Sequence, residues 1–496
     1  MNLTMLLEMA ADGFGDRVVV GRRDEGITAS GLRSAAQRGA DLVQQSGADA
    51  IVYLGVNGPA FPVALFAAAY AGVPLVPLNY RLGEEQLEGL LAGHPGALAI
   101  GDPTVQRQLE KHASKVLTCE EWLAATTSGP EVEPALVDSD EPAVIIYTSG
   151  TTSAPKGVLL RHANLTSYVL GTVEFSGAGE DEAALVSLPP YHIAAVANVI
   201  TNLFAGRRTI VLERFEAAEW LETVRREAVT SALVVPTMLT RLLDGAADKS
   251  LPSLRSLAYG GAPMPTAVIR RALGTWPHVD FVNAYGLTET SSTVSLLTPD
   301  DHRDAFGSQD PFVRARLGSV GRPLPGVQIE IRGEDGAVLQ PGFRGRIWIS
   351  GEQVSAEYAG IGRLVDERGF FDTRDEGFLD EDGYLFIGGR RDDTIIRGGE
   401  NIAPAEIEAV IYRHPAVADV AVIGVPDEEW GQRIVAVIVL REGEKVTAEE
   451  LREFARGTLR SSKTPDEFTF WEELPRTETG KLVRRNVVEL FSAERV

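Results

Sequence analysis

Cysteine is almost absent: Cys119 is the single one in 496 residues. No intrachain disulfide can form, and zinc clusters built on several cysteines are excluded. Such usage fits a reducing compartment, so a cytoplasmic location is expected. Positive charge is scarce as well. Lysine and arginine number 47 against 70 aspartates and glutamates, a formal net charge of -23. That balance argues against nucleic acid or an anionic membrane as the main partner, while leaving room for a local patch that binds a small polyanion. There is no low-complexity tract and no internal repeat. Met1 to Asp16 lacks the basic start of a signal peptide. One uncharged stretch, Ala60 to Leu78, is long enough to span a bilayer. Pro62, Gly72, Pro74 and Pro77 interrupt it, and alanine rather than leucine fills it. It reads instead as a buried βαβ unit, with strand Ile51 to Leu54, helix Phe61 to Ala71 and strand Val73 to Leu78. A soluble chain with no integral membrane segment is expected.

What is present is an ordinary globular composition, 44% hydrophobic and 24% charged. The length exceeds what one core can organise, so at least two domains are expected. Strand and helix keep alternating: Ala183 to Leu188 extended, Ile193 to Phe204 helical, Arg208 to Leu212 extended, Ala217 to Glu227 helical. Ala232 to Val235 and Leu254 to Tyr259 then read as strands around a helix from Thr237 to Leu243. This alternation predicts an α/β fold with parallel sheets covered by helices on both faces. From Arg316 to Leu385 the pattern shifts to short strands with glycine turns, a small β subdomain. Gly388 to Asp393 is polar and glycine-flanked, fit for a joint. It divides a large N-terminal domain, 1–389, from a small mobile α+β C-terminal domain, 390–496.

Ligands on parallel sheets gather at the carboxyl ends of strands, and the unusual chemistry lies there: Tyr147 to Gly157, Pro189 to His192, Gly260 to Pro263 and Tyr285 to Glu289. In the first, the apolar Val144, Ile145 and Ile146 run into Thr148, Ser149, Gly150, Thr151, Thr152, Ser153, Ala154, Pro155, Lys156 and Gly157. Glycines permit close backbone approach to an anion, hydroxyls and amides can ring a phosphate, and the lysine adds charge. It is not a Walker P-loop, because Pro155 precedes the lysine and Gly157 follows it. By composition alone it is also compatible with a solvated linker.

As a string this loop resembles the phosphate loop of the acyl-adenylate-forming superfamily, which includes acyl-CoA synthetases, peptide-synthetase adenylation domains and beetle luciferases. The resemblance extends along nearly the whole chain, in the family's order. It takes in Pro189-Pro190-Tyr191-His192, Tyr259-Gly260-Gly261-Ala262-Pro263 and Tyr285-Gly286-Leu287-Thr288-Glu289-Thr290. Gly321-Arg322-Pro323, Thr373-Arg374-Asp375, Gly389 to Asp393, Gly398-Gly399-Glu400-Asn401 and Thr479-Gly480-Lys481 follow. The family usually has glycine where Ser153 and Arg374 stand.

The resemblance implies ATP, Mg²⁺ and CoA as the small molecules handled with a carboxylic acid, and leaves a homodimer open. Thr148, Ser149, Gly150, Thr151, Thr152 and Lys156 would cradle the β- and γ-phosphates. Glu289 would ligate Mg²⁺, its rival role being a capping glutamate after Thr288. Tyr285 would stack on adenine, with Gly260, Gly261, Ala262 and Gly286 along the purine; packing in the core is the alternative. Asp375 and Arg390 match the pair that holds the ribose hydroxyls. Lys481 matches the catalytic lysine that reaches the substrate carboxylate and the α-phosphate. His192 is either a satisfied buried histidine or the residue beside the carboxylate that gates the acyl pocket, whose walls would include Ala195, Val235 and Gly261. Gly398 matches the glycine passed by the pantetheine chain, or is a plain turn residue, and Asp392 matches the hinge. Arg397 could reach a CoA phosphate.

No buried charge is visible for a substrate ammonium or a second carboxylate. The expected substrate is therefore an apolar monocarboxylate, whether a medium-chain fatty acid or an aromatic or alicyclic acid. The leading expectation is an AMP-forming acyl-CoA synthetase. A free-standing enzyme that loads a carrier-protein phosphopantetheine, or a non-catalytic acyl-nucleotide binder, are the alternatives.

Overall fold

The computed structural model describes residues 1–148, 155–245, 248–390, 393–397, 400–427, 430–477 and 480–493, with the backbone alone at 390 and 401. The helix Ala60–Ala71 shows how the local pattern becomes architecture. It is apolar on every side and all but its last residue is buried, which suits a helix enclosed between layers. Gly72, left-handed at φ 76°, returns its N–H to Ala68 and Ala69 and ends it. No helix among the described residues is long and apolar enough to cross a membrane.

Among the described residues, an eight-stranded and a nine-stranded sheet form the body of the chain. The first runs Leu75–Pro77, Ile51–Leu54, Leu98–Gly101 and Lys115–Thr118 in parallel, with Pro142–Thr148 beside Leu75. The second is parallel from Val18–Val20 through Arg208–Val211, Ala183–Val186, Ser231–Val234 and Ser256–Gly260 to Asp280–Leu287. The sheets are mixed, however, where purely parallel ones were expected. Pro142–Thr148 pairs antiparallel with Lys156–Arg161, and Asp280–Leu287 with Ser292–Leu297. Residues 149–155 and 288–291 are too few to hold the crossover that a parallel pair requires.

The helix Ile193–Ala205 packs into the core that contains Ala60–Ala71. His192 caps its start, and Gly206, left-handed at φ 75°, ends it. Burial of Leu203 and Phe204 contributes about 2 kcal/mol each. The expected small β subdomain is a four-stranded sheet of Gln328–Arg332, Gly345–Ser350, Phe371–Leu379 and Leu385–Arg390. Val417–Asp427, Gly431–Leu440 and Glu467–Trp471 form the C-terminal sheet, with apolar clusters on both faces.

Candidate active site

At the ends of two parallel strands, Gly260 lies opposite Ala284. A Cβ on Gly260 would overlap the Ala284 carbonyl, and one on Gly286 would overlap that of Ser292. The missing side chains at these two positions therefore let strands approach one another. Gly261 is different. It is left-handed at φ 78°, exposed, and meets nothing nearer than Val235 Cγ1 at 3.7 Å. With half-buried Ala262 it leaves an open backbone face beside Tyr285, while Val235 itself is 3% exposed beneath.

Tyr285 is half-buried, and its hydroxyl donates to Asp375 Oδ2 at 2.6 Å. Asp375 is 6% exposed on the strand Phe371–Leu379, and Arg390 is its cross-strand partner in backbone register. Its neighbour Arg374 is exposed and left-handed at φ 62°. Holding a long side chain there costs about 1 kcal/mol relative to glycine.

Glu289 sits in the 3₁₀ turn Thr288–Thr290. The turn is closed by the Leu287 N–H donating to Thr290 Oγ1 at 2.9 Å, and by Gln353 Nε2 donating to the Thr290 and Thr293 carbonyls at 3.0 and 2.7 Å. Ser291 and Ser292 follow at φ 54° and 103°, a strained pair for residues with side chains. The Tyr358 hydroxyl donates to Glu289 Oε1 at 2.8 Å, and Lys156 Nζ stands 5.9 Å from the centre of the same ring. Thr148 lies opposite Lys156 in the antiparallel register. Ser149, Gly150, Thr151 and Thr152 lie outside the described residues, as does Ser153.

Among the described residues, no cluster of three or more His, Cys, Asp and Glu side chains offers a metal a cage. Glu289 joins no ion pair among them and is held from one side by a neutral hydroxyl. A single oriented carboxylate of this kind fits a hard cation that takes its other ligands from phosphate oxygens and water.

His192 is half-buried, with Nδ1 accepting from the Ala194 N–H at 3.2 Å. Burial first, and then the nearby positive charge of Lys481, lower its pKa to about 4. The imidazole is thus neutral at pH 7. Lys481 is itself exposed, with its N–H on Thr477 Oγ1 at 3.0 Å. Arg476 braces that loop, donating to the Gly480 carbonyl at 2.6 Å and to both Asp419 oxygens at 2.9 and 2.7 Å.

Ala195 is a correction. It is 1% exposed and turned into the core, where it lines a cavity of about 20 Å³ with Phe61, Val186 and Val199. The accessible face of the helix carries Ala194, Asn198 and Thr201, at the spacing of one helical stripe. Arg397 pairs with Asp466 at 2.7 Å and lies over the Trp430 ring. Gly398 and Asp392 lie outside the described residues. Sequence reasoning missed Tyr358, Arg476 and Gln353, which are unremarkable residue types whose roles come only from distant partners.

Comparison with known proteins identifies the family. The family model for AMP-binding enzymes matches residues 7–359, and that for the AMP-binding enzyme C-terminal domain matches 406–481. A feruloyl-CoA synthase of Amycolatopsis sp is 34% identical over 472 residues, covering 93% of this chain and 91% of its own. The fatty acid–[acyl-carrier-protein] ligase ScoC of Streptomyces coeruleorubidus is 32% identical, covering 89% and 87%. Among solved structures, o-succinylbenzoate CoA synthetase of Bacillus subtilis in complex with ATP and magnesium ion superposes with a TM-score of 0.84 at 29% identity, covering 98% of this chain and 99% of that one. The chain belongs to the family of AMP-binding enzymes, in its acyl-CoA synthetase branch.

Proposed function

We propose that the protein activates an apolar monocarboxylic acid with ATP and passes the acyl group to CoA. In the first half-reaction a carboxylate oxygen attacks the α-phosphorus and pyrophosphate leaves, giving an acyl-adenylate. In the second the CoA thiol gives its proton to solvent and attacks the acyl carbonyl, and AMP leaves. The observation that supports this reading is the Lys481 loop lying against the N-terminal domain, with Gly480 pressed on Thr237 and the Lys481 charge acting on His192. An ammonium placed there offsets the charge that builds up as two anions approach, and it needs no proton transfer to do so.

The remaining residues take roles that follow from their chemistry. Asp375, held by Tyr285, accepts from the ribose hydroxyls, with Arg390 beside it. The ring of Tyr285 and the open backbone of Gly261 and Ala262 flank the purine. Thr148 and Lys156 bear on the phosphates at one end of the loop, and Ser149, Gly150, Thr151 and Thr152 complete it. Mg²⁺, when bound, would be held by Glu289 and would neutralise phosphate charge. Neutral His192 borders the acyl pocket without adding a second cation. The His192 helix, Ile193–Ala205, has no charged side chain, which supports an apolar acid. Gly398 and Asp392 are assigned to the pantetheine path and the hinge between residues 1–389 and 390–496.

Two acceptors enter the test, because the similar proteins include both a CoA synthase and a carrier-protein ligase. Pyrophosphate release is measured over a panel of fatty, aromatic and alicyclic acids, with CoA or a phosphopantetheinyl carrier protein supplied. Acid-dependent release with acyl-CoA as product is expected. Release that yields product only with the carrier protein replaces CoA as acceptor, and no release with any acid overturns the reading.

A further inference from the structure

The helix Pro236–Gly245 buries Met238, Leu239, Leu242 and Leu243 in the core of the nine-stranded sheet. Its other face carries Thr237, Thr240 and Asp244, about one turn apart, and each meets a different part of the C-terminal domain. Gly480, next to Lys481, presses its backbone on Thr237 so closely that a Cβ would overlap Thr237 Oγ1. The hydroxyl of Tyr412 lies in reach of Thr240, and its ring packs against the cores of both domains. Arg441 Nη1 lies 3.6 Å from Asp244 Oδ2, while Arg271 holds the other oxygen at 2.6 Å. One helix face thus touches the lysine loop, a helix end and a strand end of the mobile domain.

We infer that this face is the dock that sets Lys481 at His192, with Thr237, Thr240 and Asp244 as positioning residues for adenylate formation. The inference rests on the two-step reading above, since a dock of this kind matters only to the step that needs the ammonium in place. The closest point is Thr237. Gly480 leaves no space there, so a large side chain at Thr237 holds the loop away without touching Lys481, His192 or Glu289.

The test uses the full chain carrying Thr237→Trp, with its thermal melt compared with wild type. Acid-dependent exchange of pyrophosphate into ATP reports the first half-reaction, and thioester formation from a supplied acyl-adenylate reports the second. Exchange is expected to fall roughly tenfold or more, since a displacement of about 1 Å at a reacting group has effects of this size or larger. Transfer should stay within about twofold of wild type, because the undocked domain is free to move. Unchanged exchange, or an equal loss of both steps, overturns the dock.

A second variant pair keeps the question open to disproof if Thr237→Trp does not fold. Arg441→Glu opposes Asp244 and slows exchange a few-fold, and adding Asp244→Asn, whose amide oxygen still accepts from Arg271, restores most of it. Failure of the pair to restore exchange also overturns the dock. Absence of exchange in the wild-type protein with every acid is a different result, and it removes the two-step reading itself.

Discussion

Tyr285 and Asp375 are joined by a hydrogen bond of 2.6 Å between strands that belong to different sheets. The hydroxyl fixes the rotamer of a carboxylate that is 6% exposed, so ring and carboxylate are presented as one unit. Tyr285→Phe keeps the ring and releases the carboxylate. KM for ATP should rise several-fold with kcat little changed, corresponding to about 1 kcal/mol for one hydrogen bond. Asp375→Asn should also narrow the preference for ATP over 2′-deoxyATP. Steady-state kinetics with both nucleotides check this, and an unchanged preference removes Asp375 from the ribose.

Lys481→Ala should abolish adenylate formation while sparing thioester formation from supplied acyl-adenylate. Loss of one preorganised donor costs roughly 3 kcal/mol, on the order of a hundredfold in rate. The half-reactions are timed separately by rapid mixing. Equal loss of both, with the fold intact, contradicts the role.

On the His192 helix, neighbouring alanines should respond in opposite ways. Ala194→Trp places bulk on the accessible face and should weaken long or bulky acids more than acetate, at about 1 kcal/mol for each excluded methylene. Ala195→Trp drives an indole into a cavity of about 20 Å³ and should destabilise the fold instead, by about 3 kcal/mol or more. Substrate ranking and melting temperature, measured on both variants, distinguish the two faces.

Acid should weaken the fold through its buried histidines. Burial lowers His162 and His302 from 6.5 to about 4, and the nearby amino terminus adds to the effect at His162. Below pH 6.5 the unfolded chain binds protons that the folded chain refuses. The contribution is therefore fully present above that pH and is lost as pH falls towards 4, on the order of 3 kcal/mol for each histidine. Urea unfolding from pH 7 to 4 should show this slope, and His302→Gln should flatten it. His302 takes no part in the site. Its Nδ1 meets the Thr298 carbonyl and its Nε2 the Tyr259 hydroxyl, both at 2.8 Å.

Much of this architecture is legible in the residues themselves. Ile51 to Leu54 forms the strand expected of it and Arg208 to Leu212 does so in all but its last residue, and the helices given bounds above start and stop within a residue or two of them. The phase of the His192 helix is not legible. Ile193 to Ala197 is apolar at every position, so nothing local marks Ala194 as accessible and Ala195 as core. Strand direction at the phosphate loop follows from loop length rather than from apolar pattern. Tyr358, Arg476 and Gln353 carry no local mark at all, because each acts on a residue far away in the chain.

The Lys481 loop is brought against Thr237 from nearly the far end of the chain, and this order has a consequence during synthesis. A ribosome adds about 5–20 residues each second, and domains fold as they emerge. Every other residue assigned to the nucleotide leaves the tunnel before Lys481 does. On the roles proposed above, the nascent protein has for several seconds a pocket for ATP and acid but no ammonium to join them. With those roles, an enzyme whose intermediate is a reactive anhydride gains its chemistry last, after the walls that retain that anhydride have formed.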